Sequence, residues 1–252
     1  MNFSELASIE AAYKQKQVLE TIAVDDEMWP GGEQWYFSVG QDGLQNVLRA
    51  LSLSRLQSVG RILDLPCGHG RVARHLRAAF PDGQLTFCDL NRSGVDFCGE
   101  SFHGSGVYSS PELTDVEFDT PFDVIWIGSL FTHVDVDRCQ KWMRHLSKCL
   151  ASDGVLIATF HGAWTIQVQN TIGPLIGPAE WEKILAGFRS DGWGYASYPN
   201  MSDFGISLSR ASRVIDMASA IDGCRILSYT ERGWAGNHDV LVRGRTDRLE
   251  AG

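Results

Sequence analysis

The stretch LDLPCGHGR, residues 63–71, places a carboxylate and a glycine-containing turn at the end of an apolar run. The preceding residues have the pattern of a buried strand, and those after Gly70 have the pattern of a helix that stops at Pro81. Gly68 and Gly70 carry no side chain, so the backbone can approach a ligand closely there. A carboxylate without a partner is costly at the end of a buried strand. The stretch around Asp64 therefore predicts a ligand site.

The chain beyond this stretch alternates short apolar runs with amphipathic segments. The runs QLTFCDL, FDVIWIG and VLIATF are separated by helix-like residues, which is typical of a parallel sheet covered on both faces. Right-handed crossovers then predict an α/β fold with a Rossmann-like, doubly wound sheet. CRILSYTERGW and HDVLVRGR, near the end, are joined by a turn too short for a parallel crossover, so we predict an antiparallel strand pair.

We predict a single domain over residues 1–252. Its predicted parts, in chain order, are an N-terminal helical cap (1–55, with helices at about 3–22 and 41–53), a cofactor-binding core (60–160), an aromatic-rich insertion that serves as a substrate lid (161–205), and a C-terminal helix with the strand pair (206–245).

The composition narrows the class of protein. The formal net charge is −9 and there is no dense Lys/Arg tract, whereas a protein that follows a nucleic-acid backbone needs a basic face. No signal-peptide pattern and no apolar run long enough to span a bilayer are found in the sequence. The six cysteines form no C-x-x-C pair, which is typical of buried thiols in a reducing compartment. We therefore predict a cytoplasmic protein without a metal, a nucleic-acid partner or a membrane span, either a monomer or a homodimer.

Two cofactor classes compete for the glycine turn. The segment from Gly68 to Ala73 matches the dinucleotide pattern G-x-G-x-x-A, and Asp89 follows Gly70 by 19 residues. In a dinucleotide site, however, the first glycine follows the strand directly, whereas here Asp64 comes first. That order favours a different cofactor.

The segment Asp64-Leu-Pro-Cys-Gly-His-Gly70 resembles motif I, D/E-x-G-x-G-x-G, of the class I S-adenosylmethionine-dependent methyltransferases, with Pro66 in place of the first glycine. FDVIWIGSLFTHV resembles the fourth-strand motif of that family, and LASDGVLIATF resembles its fifth-strand motif. The closing strand pair is also typical of the family. The resemblance extends over about residues 35–243.

The resemblance implies S-adenosylmethionine as the cofactor and S-adenosylhomocysteine as its product. Asp64 would position the methionine end, Asp89 would hold the ribose hydroxyls, and Leu90 would line the adenine pocket. The full set of candidate cofactor-binding residues is Asp64, Pro66, Cys67, Gly68, Gly70, Arg71, Asp89, Leu90, Ser109, Gly128 and Ser129.

Three histidines are candidates for a catalytic base. Methyl transfer to a hydroxyl needs a group that takes the acceptor proton, and histidine suits that task near neutral pH. His133 and His161 follow the fourth and fifth strands, and His238 begins the last strand. Each of them can equally cap or pack. Asp135 is predicted to cap a helix rather than to bind a metal.

The acceptor is predicted to be a small molecule or a glycan that is methylated on oxygen. The lid is rich in aromatic residues, which bind flat or sugar-like ligands well, and the segments DFGISLS and ERGWAGNHDV are similar to stand-alone bacterial methyltransferases of glycan or secondary-metabolite assembly. An NAD(P)-dependent oxidoreductase and a non-catalytic cofactor-binding regulator or scaffold remain as alternatives. The candidate substrate-binding residues are Tyr36, Trp164, Trp193 and Tyr198.

Overall fold

The architecture was analysed in a computed structural model, which describes residues 1, 3–29, 31, 33–201 and 203–246. The last six residues of the predicted domain lie outside the described residues. The described helices are α1 (Phe3–Gln15), α2 (Glu33–Leu53), α3 (Ala73–Ala79), α4 (Arg92–Phe102), α5 (Val136–Lys148), α6 (Thr165–Thr171), α7 (Pro178–Ser190) and α8 (Ala211–Ser219).

The described strands form one large sheet and one small one. The large sheet has seven strands in the order β3-β2-β1-β4-β5-β9-β8, and the small one pairs β6 with β7. Their bounds are β1 (Arg61–Leu65), β2 (Gln84–Asp89), β3 (Ser105–Tyr108), β4 (Phe122–Ile127), β5 (Leu150–His161), β6 (Trp193–Ser197), β7 (Gly205–Ser209), β8 (Cys224–Trp234) and β9 (His238–Arg245).

The strand directions confirm the predicted α/β fold. Strands β1 to β5 pair in parallel, and β9 runs antiparallel between β5 and β8. Strand β1 lies in the middle, between β2 and β4, so its carboxyl end marks the point where the strand order reverses. Ligands of open α/β sheets bind at that point, and Asp64 belongs to it.

Both faces of the large sheet are apolar because both are covered by helices. On one face Leu44 of α2 and Leu76 of α3 are fully buried. On the other face Met143 of α5 and Val214 of α8 are fully buried. Burying apolar side chains on both sides of the same strands is the main favourable contribution to folding, and it fixes the strand ends that carry the site.

The N-terminal part differs from the sequence prediction. Helix α1 ends at Gln15 rather than near residue 22, and α2 begins at Glu33 rather than near residue 41. The Arg74 side chain donates to the carbonyl oxygens of Leu19 (2.6 Å) and Thr21 (3.1 Å). These carbonyls are thus bound to a side chain and not to a helical N–H group. Residues 16–29, here named the N-terminal strap, run from α1 to the region of the cofactor turn.

The insertion is better bounded at Ser209 than at residue 205. Strand β7 begins at Gly205 and pairs with β6 along its whole length, so it belongs to the insertion. Helix α7 packs on this hairpin through a separate apolar cluster that includes Trp181, Ile184 and Leu208. The insertion therefore has its own small core.

None of the helices in the described part of the chain combines the length and apolar character needed to cross a bilayer.

Candidate active site

The turn between β1 and α3 has the backbone geometry that its glycines allow. Gly68 has a φ of +49° and Gly70 a φ of +81°, both in the left-handed region, and the Leu65–Pro66 peptide is cis. A Cβ atom on Gly70 would lie 2.2 Å from the ring of Phe102, whereas a Cβ atom on Gly68 would meet nothing within 4 Å. Gly70 is thus packed against α4, and Gly68 borders open space where a ligand can approach.

This contrast gives a stability prediction. We expect Gly70→Ala to lower the free energy of unfolding by about 2–4 kcal/mol, because left-handed backbone is costly for alanine and the ring of Phe102 is buried. The matched change Gly68→Ala is expected to cost only the backbone part, about 1–2 kcal/mol. Urea denaturation of both variants measures the difference. Equal losses would show that the Phe102 contact does not matter.

Asp64 carries a buried oxygen without a partner. Asp64 is 2% exposed, and no hydrogen-bond partner for its Oδ2 atom is found among the described residues. Burial, followed by the charge of Asp89, raises the pKa of the Asp64 carboxyl to about 8, although the charge of Arg71 opposes this. A bound cation would favour the ionised form. The ammonium group at the methionine end of S-adenosylmethionine has that charge, so the residue fits this cofactor.

Asp89 is held rigidly at the end of β2. Its Oδ2 accepts the N–H of Gly68 (2.8 Å), and its Oδ1 accepts the N–H of Asn91 (2.9 Å). Each carboxylate oxygen has a further lone pair, so both can still accept hydrogen bonds from a ribose. Leu90, the next residue, is 55% exposed. An exposed leucine beside a fixed carboxylate suits an adenine pocket next to a ribose site.

We expect Asp89→Ala to raise the Kd for S-adenosylhomocysteine by one to two orders of magnitude, because hydrogen bonds to a charged group contribute about 1.5–3 kcal/mol each. Calorimetric titration measures this loss, with Asp222→Ala as the control at an exposed carboxylate. Unchanged affinity in Asp89→Ala would contradict the ribose assignment.

The other candidate cofactor residues lie around the same strand ends. Ser109 follows β3, and its N–H donates to the Asp89 carbonyl oxygen (2.8 Å). Ser129 follows β4 with a φ of +64°, and its N–H donates to Thr159 Oγ1 (2.7 Å). A Cβ atom on Gly128 would lie 2.7 Å from Trp126 Nε1, so only glycine fits there without movement. These positions place the predicted residues along one edge of the sheet, and their contacts to a cofactor remain predictions.

Cys67 lies beneath the turn rather than in an open pocket. A hydrogen bond with the Cys98 thiol and burial both raise the pKa of the Cys67 thiol. A buried, protonated thiol packs as a small apolar group. Any contact of Cys67 with a cofactor would therefore come from its backbone.

The N-terminal strap reaches the cofactor turn, which the sequence did not reveal. His69 Nε2 lies 3.3 Å from Asp25 Oδ1, and the hydroxyl of Ser93 donates to Asp25 Oδ2 (2.6 Å). The side chain of His69 is buried. Asp25 follows no periodic apolar pattern, so only the folded chain shows that it meets the turn.

The three candidate histidines form one cluster, here named the histidine row. The ring centroids of His133 and His161 are 6.3 Å apart, and those of His161 and His238 are 4.9 Å apart. They come from the turn after β4 and from the paired ends of β5 and β9, because His161 lies opposite His238 in the antiparallel register. The sequence predicted each residue at this edge, and the sheet brings them together.

Strand β7 fixes the ring orientation of two members of the row. His133 Nδ1 lies 2.7 Å from the carbonyl oxygen of Gly205, and His161 Nδ1 lies 3.1 Å from that of Ser207. A carbonyl oxygen only accepts, so Nδ1 carries the proton in both rings and Nε2 keeps a lone pair. In His238, Nδ1 is buried and no partner is found for it among the described residues.

Burial keeps the histidine row neutral. Burial lowers the pKa of His133. Burial and the electrostatic effect of His133 together lower the pKa of His161 to about 3. The pKa of His238 is lowered well below its ordinary value by burial first, then by His161, His133 and Arg71. All three rings are therefore unprotonated at neutral pH and can accept a proton.

The four aromatic candidates for acceptor binding have different surroundings. Tyr36 lies within α2 and is fully buried, and its hydroxyl donates to Asp26 Oδ2 (2.6 Å). Trp193 is also buried and packs edge-on against Phe160. Both surroundings indicate packing roles rather than the predicted substrate contacts, because burial leaves neither ring a free face.

Trp164 and Tyr198 are more accessible. Trp164 is 41% exposed, and the guanidinium of Arg232 lies 3.9 Å from the centroid of its ring. The ring of Tyr198 lies 6.3 Å from that of His133, and Phe204 stacks on His133 at 4.6 Å. Tyr198 is therefore the substrate candidate that the structure brings closest to the histidine row.

Asp135 is the helix cap that the sequence predicts. Its Oδ1 accepts the N–H of Arg138 (2.9 Å) at the start of α5. In the part of the chain that the structure describes, no group of three or more His, Cys, Asp or Glu residues could hold a metal ion.

Comparison with known proteins agrees with this geometry. Residues 63–156 match a family model described as a methyltransferase domain. A phthiotriol/phenolphthiotriol dimycocerosates methyltransferase of Mycobacterium ulcerans is 27% identical over 133 residues, which are 50% of this chain and 43% of that protein. The malonyl-[acyl-carrier protein] O-methyltransferase of Bacillus cereus is 27% identical over 108 residues, 42% of this chain and 39% of that protein. The chain thus spans less than half the length of these curated relatives.

A solved structure shows the same fold over nearly the whole chain. CalS10, an amino pentose methyltransferase from Micromonospora echinaspora with S-adenosylmethionine bound, has a TM-score of 0.56 at 16% identity and covers 92% of this chain and 100% of its own. The family match contains the Asp64 turn, Asp89 and strand β4, the elements that form the candidate cofactor site. The family model therefore indicates a methyltransferase domain over residues 63–156, and the solved structure shows that the chain has the fold of an S-adenosylmethionine-dependent methyltransferase.

Proposed function

We propose that the protein transfers a methyl group from S-adenosylmethionine to a hydroxyl of a small molecule or glycan, with His133 as the base. The observation that carries the proposal is the contact between His133 Nδ1 and the Gly205 carbonyl oxygen, which leaves Nε2 as the proton acceptor. When bound, S-adenosylmethionine supplies an electrophilic methyl group, so that the acceptor oxygen gains the methyl as the electron pair of the C–S bond returns to sulfur.

The residues of the chain contribute alignment and proton removal. Asp64 would pair with the ammonium group, and Asp89 would accept the ribose hydroxyls, so that the methyl group is held in a fixed place. His133 Nε2 takes the proton that the acceptor hydroxyl loses. The buried rings of the histidine row exclude water from this region.

His133 is preferred over its neighbours because of basicity and access. A base works best when its pKa is near the working pH, and His161, with a pKa of about 3, is too weak a base. The pKa of His238 is also lowered well below its ordinary value, by burial first and then by three neighbouring charged groups. His133 is only partly buried and has aromatic rings on its lid side.

A sugar-like acceptor is supported by the rings beside His133. Tyr198 and Phe204 offer aromatic faces, which pack well against the apolar faces of sugars. CalS10, with the same fold, is an amino pentose methyltransferase. The Mycobacterium and Bacillus relatives act on other molecules by name, so the acceptor has to be determined by experiment.

The test measures cofactor binding and turnover in one series. S-adenosylhomocysteine and NADH are titrated into the protein by calorimetry, and methyl transfer from labelled S-adenosylmethionine is then assayed with a hexose, a hexuronic acid, a fatty acid and a primary amine. We expect micromolar binding of S-adenosylhomocysteine alone and O-methylation of a sugar hydroxyl in the hexose or the hexuronic acid. Binding of NADH alone would favour the oxidoreductase. Binding without turnover on any acceptor would favour the regulator, and turnover of the amine alone would exclude the hydroxyl acceptor.

A further inference from the structure

The Arg71 side chain lies between two tryptophan rings at the edge of the cofactor turn. Its guanidinium carbon is 5.7 Å from the centroid of Trp35 and 5.6 Å from that of Trp234. Trp35 is 51% exposed, whereas Trp234 is buried and donates through Nε1 to the Val39 carbonyl oxygen (3.0 Å). The two rings therefore hold the guanidinium in one place while one side remains open.

Within the described residues, no carboxylate is in direct contact with the Arg71 guanidinium, although the charges of Asp26 and Asp64 act on it. No hydrogen bond or ion pair to its guanidinium is found there, although the group is largely buried and burial lowers its pKa. This contrasts with Arg74 in the first turn of α3, which is bound to the carbonyl oxygens of Gly70, Leu19 and Thr21. A partly buried cation without a partner is costly unless a ligand pairs with it.

The position of Arg71 connects the cofactor site with the histidine row. Its charge acts on the carboxyl of Asp64 and on the ring of His238. Trp234, which stacks with the guanidinium, also packs against His238 with ring centroids 5.1 Å apart. Arg71 thus faces the region where cofactor and acceptor must meet.

The positive charge of Arg71 favours an acceptor that carries an anionic group. The raised pKa of Asp64 leaves that carboxyl largely protonated at neutral pH when no ligand is bound. When the cofactor is bound, ionised Asp64 would pair with its ammonium group, so Asp64 would not serve as the counterion of Arg71 in either state. We propose that Arg71 binds a carboxylate of the acceptor, so that the substrates of this methyltransferase are hydroxyl compounds that also carry a carboxyl group. A guanidinium matches a carboxylate through two parallel hydrogen bonds.

This inference rests on the proposed function, and the test keeps the two apart. Protein saturated with S-adenosylhomocysteine is titrated with D-glucuronate and D-glucose, and with hexanoate and hexanamide, in the wild type, in Arg71→Met and in Arg71→Lys. We expect at least one carboxylate to bind the wild type tenfold or more tightly than its neutral partner. Arg71→Met should lose that preference, and Arg71→Lys should retain only part of it. Arg210→Met, which removes a guanidinium stacked on Phe188, is the matched control and should keep the preference.

The carboxylate of the cofactor is the competing partner, since the sequence analysis predicts that Arg71 binds the cofactor. Binding of S-adenosylhomocysteine and of 5′-methylthioadenosine, which lacks the amino acid part, is therefore compared in wild type and Arg71→Met. Equal affinities in the two proteins support an acceptor carboxylate. A tenfold loss for S-adenosylhomocysteine alone, or no carboxylate preference in the wild type, overturns the proposal. Failure of the wild type to bind S-adenosylhomocysteine would instead overturn the proposed function.

Discussion

Replacing His133 by alanine is expected to lower kcat for methyl transfer to a hydroxyl acceptor by about 10²–10⁴, the usual contribution of a general base. The loss should appear in kcat and not in cofactor affinity, because the His133 ring is bound to the lid strand β7 and not to the candidate cofactor residues. Steady-state kinetics and calorimetric titration of S-adenosylhomocysteine measure the two quantities separately.

The pH profile distinguishes a base from a packing residue. Burial lowers the pKa of His133, so the wild-type rate should hold from neutral pH to below 6.5 and then fall as the ring takes up a proton. His133→Ala should lack this acid limb. His145→Ala is the control, since His145 bonds the Val116 carbonyl oxygen on the far side of α5. A similar loss of kcat in both variants, or an unchanged acid limb, would exclude His133 as the base.

Asp64→Asn is expected to change both stability and cofactor binding. The folded-state pKa of Asp64, about 8, is well above its unfolded value of 3.8. As pH rises from 4 to 8, the unfolded chain therefore loses this proton before the folded protein does, and the free energy of unfolding of the wild type decreases. At about 1.4 kcal/mol per pKa unit, the decrease is on the order of 5 kcal/mol. The asparagine variant lacks this loss, so its stability relative to the wild type should increase steadily with pH.

Urea denaturation at pH 4, 6 and 8 gives the stability difference. Cofactor binding gives an independent readout, because ionised Asp64 would pair with the ammonium group. Wild-type protein should release close to one proton on binding S-adenosylhomocysteine at pH 7, as measured by calorimetry in buffers of different ionisation enthalpy. Asp64→Asn should bind more weakly and release none from this position. A pH-independent stability difference would show that Asp64 is already ionised in the free protein.

The placement of the candidate cofactor residues could be predicted from the sequence because these residues are fixed by regular structure, whereas their contacts to the cofactor remain predictions. Asp64 and Asp89 end buried parallel strands, and the carboxyl ends of such strands lie at one edge. The pairing of β5 with β9 likewise follows from two apolar runs and a short turn, and it places His161 opposite His238.

The acceptor half could not be predicted to the same depth. The sequence analysis predicts that Tyr36 binds the substrate, but Tyr36 lies within α2 and its hydroxyl donates to Asp26. The contacts of Asp25 and Asp26 depend on the N-terminal strap, where no periodic pattern reveals the path of the chain. Likewise, no sequence pattern shows that backbone carbonyls of β7 meet the rings of His133 and His161, since every residue carries a carbonyl.

Strand β7 joins the insertion to the turn after β4. The N–H groups of Gly205 and Ser207 donate to the carbonyl oxygens of His133 and Thr132, at 3.0 and 2.8 Å. The carbonyls of the same two residues bind the His133 and His161 rings. These contacts matter for any experiment that exchanges the insertion for that of another protein. Strand β7 has to keep its original register in any such exchange, because its carbonyls hold the rings of His133 and His161.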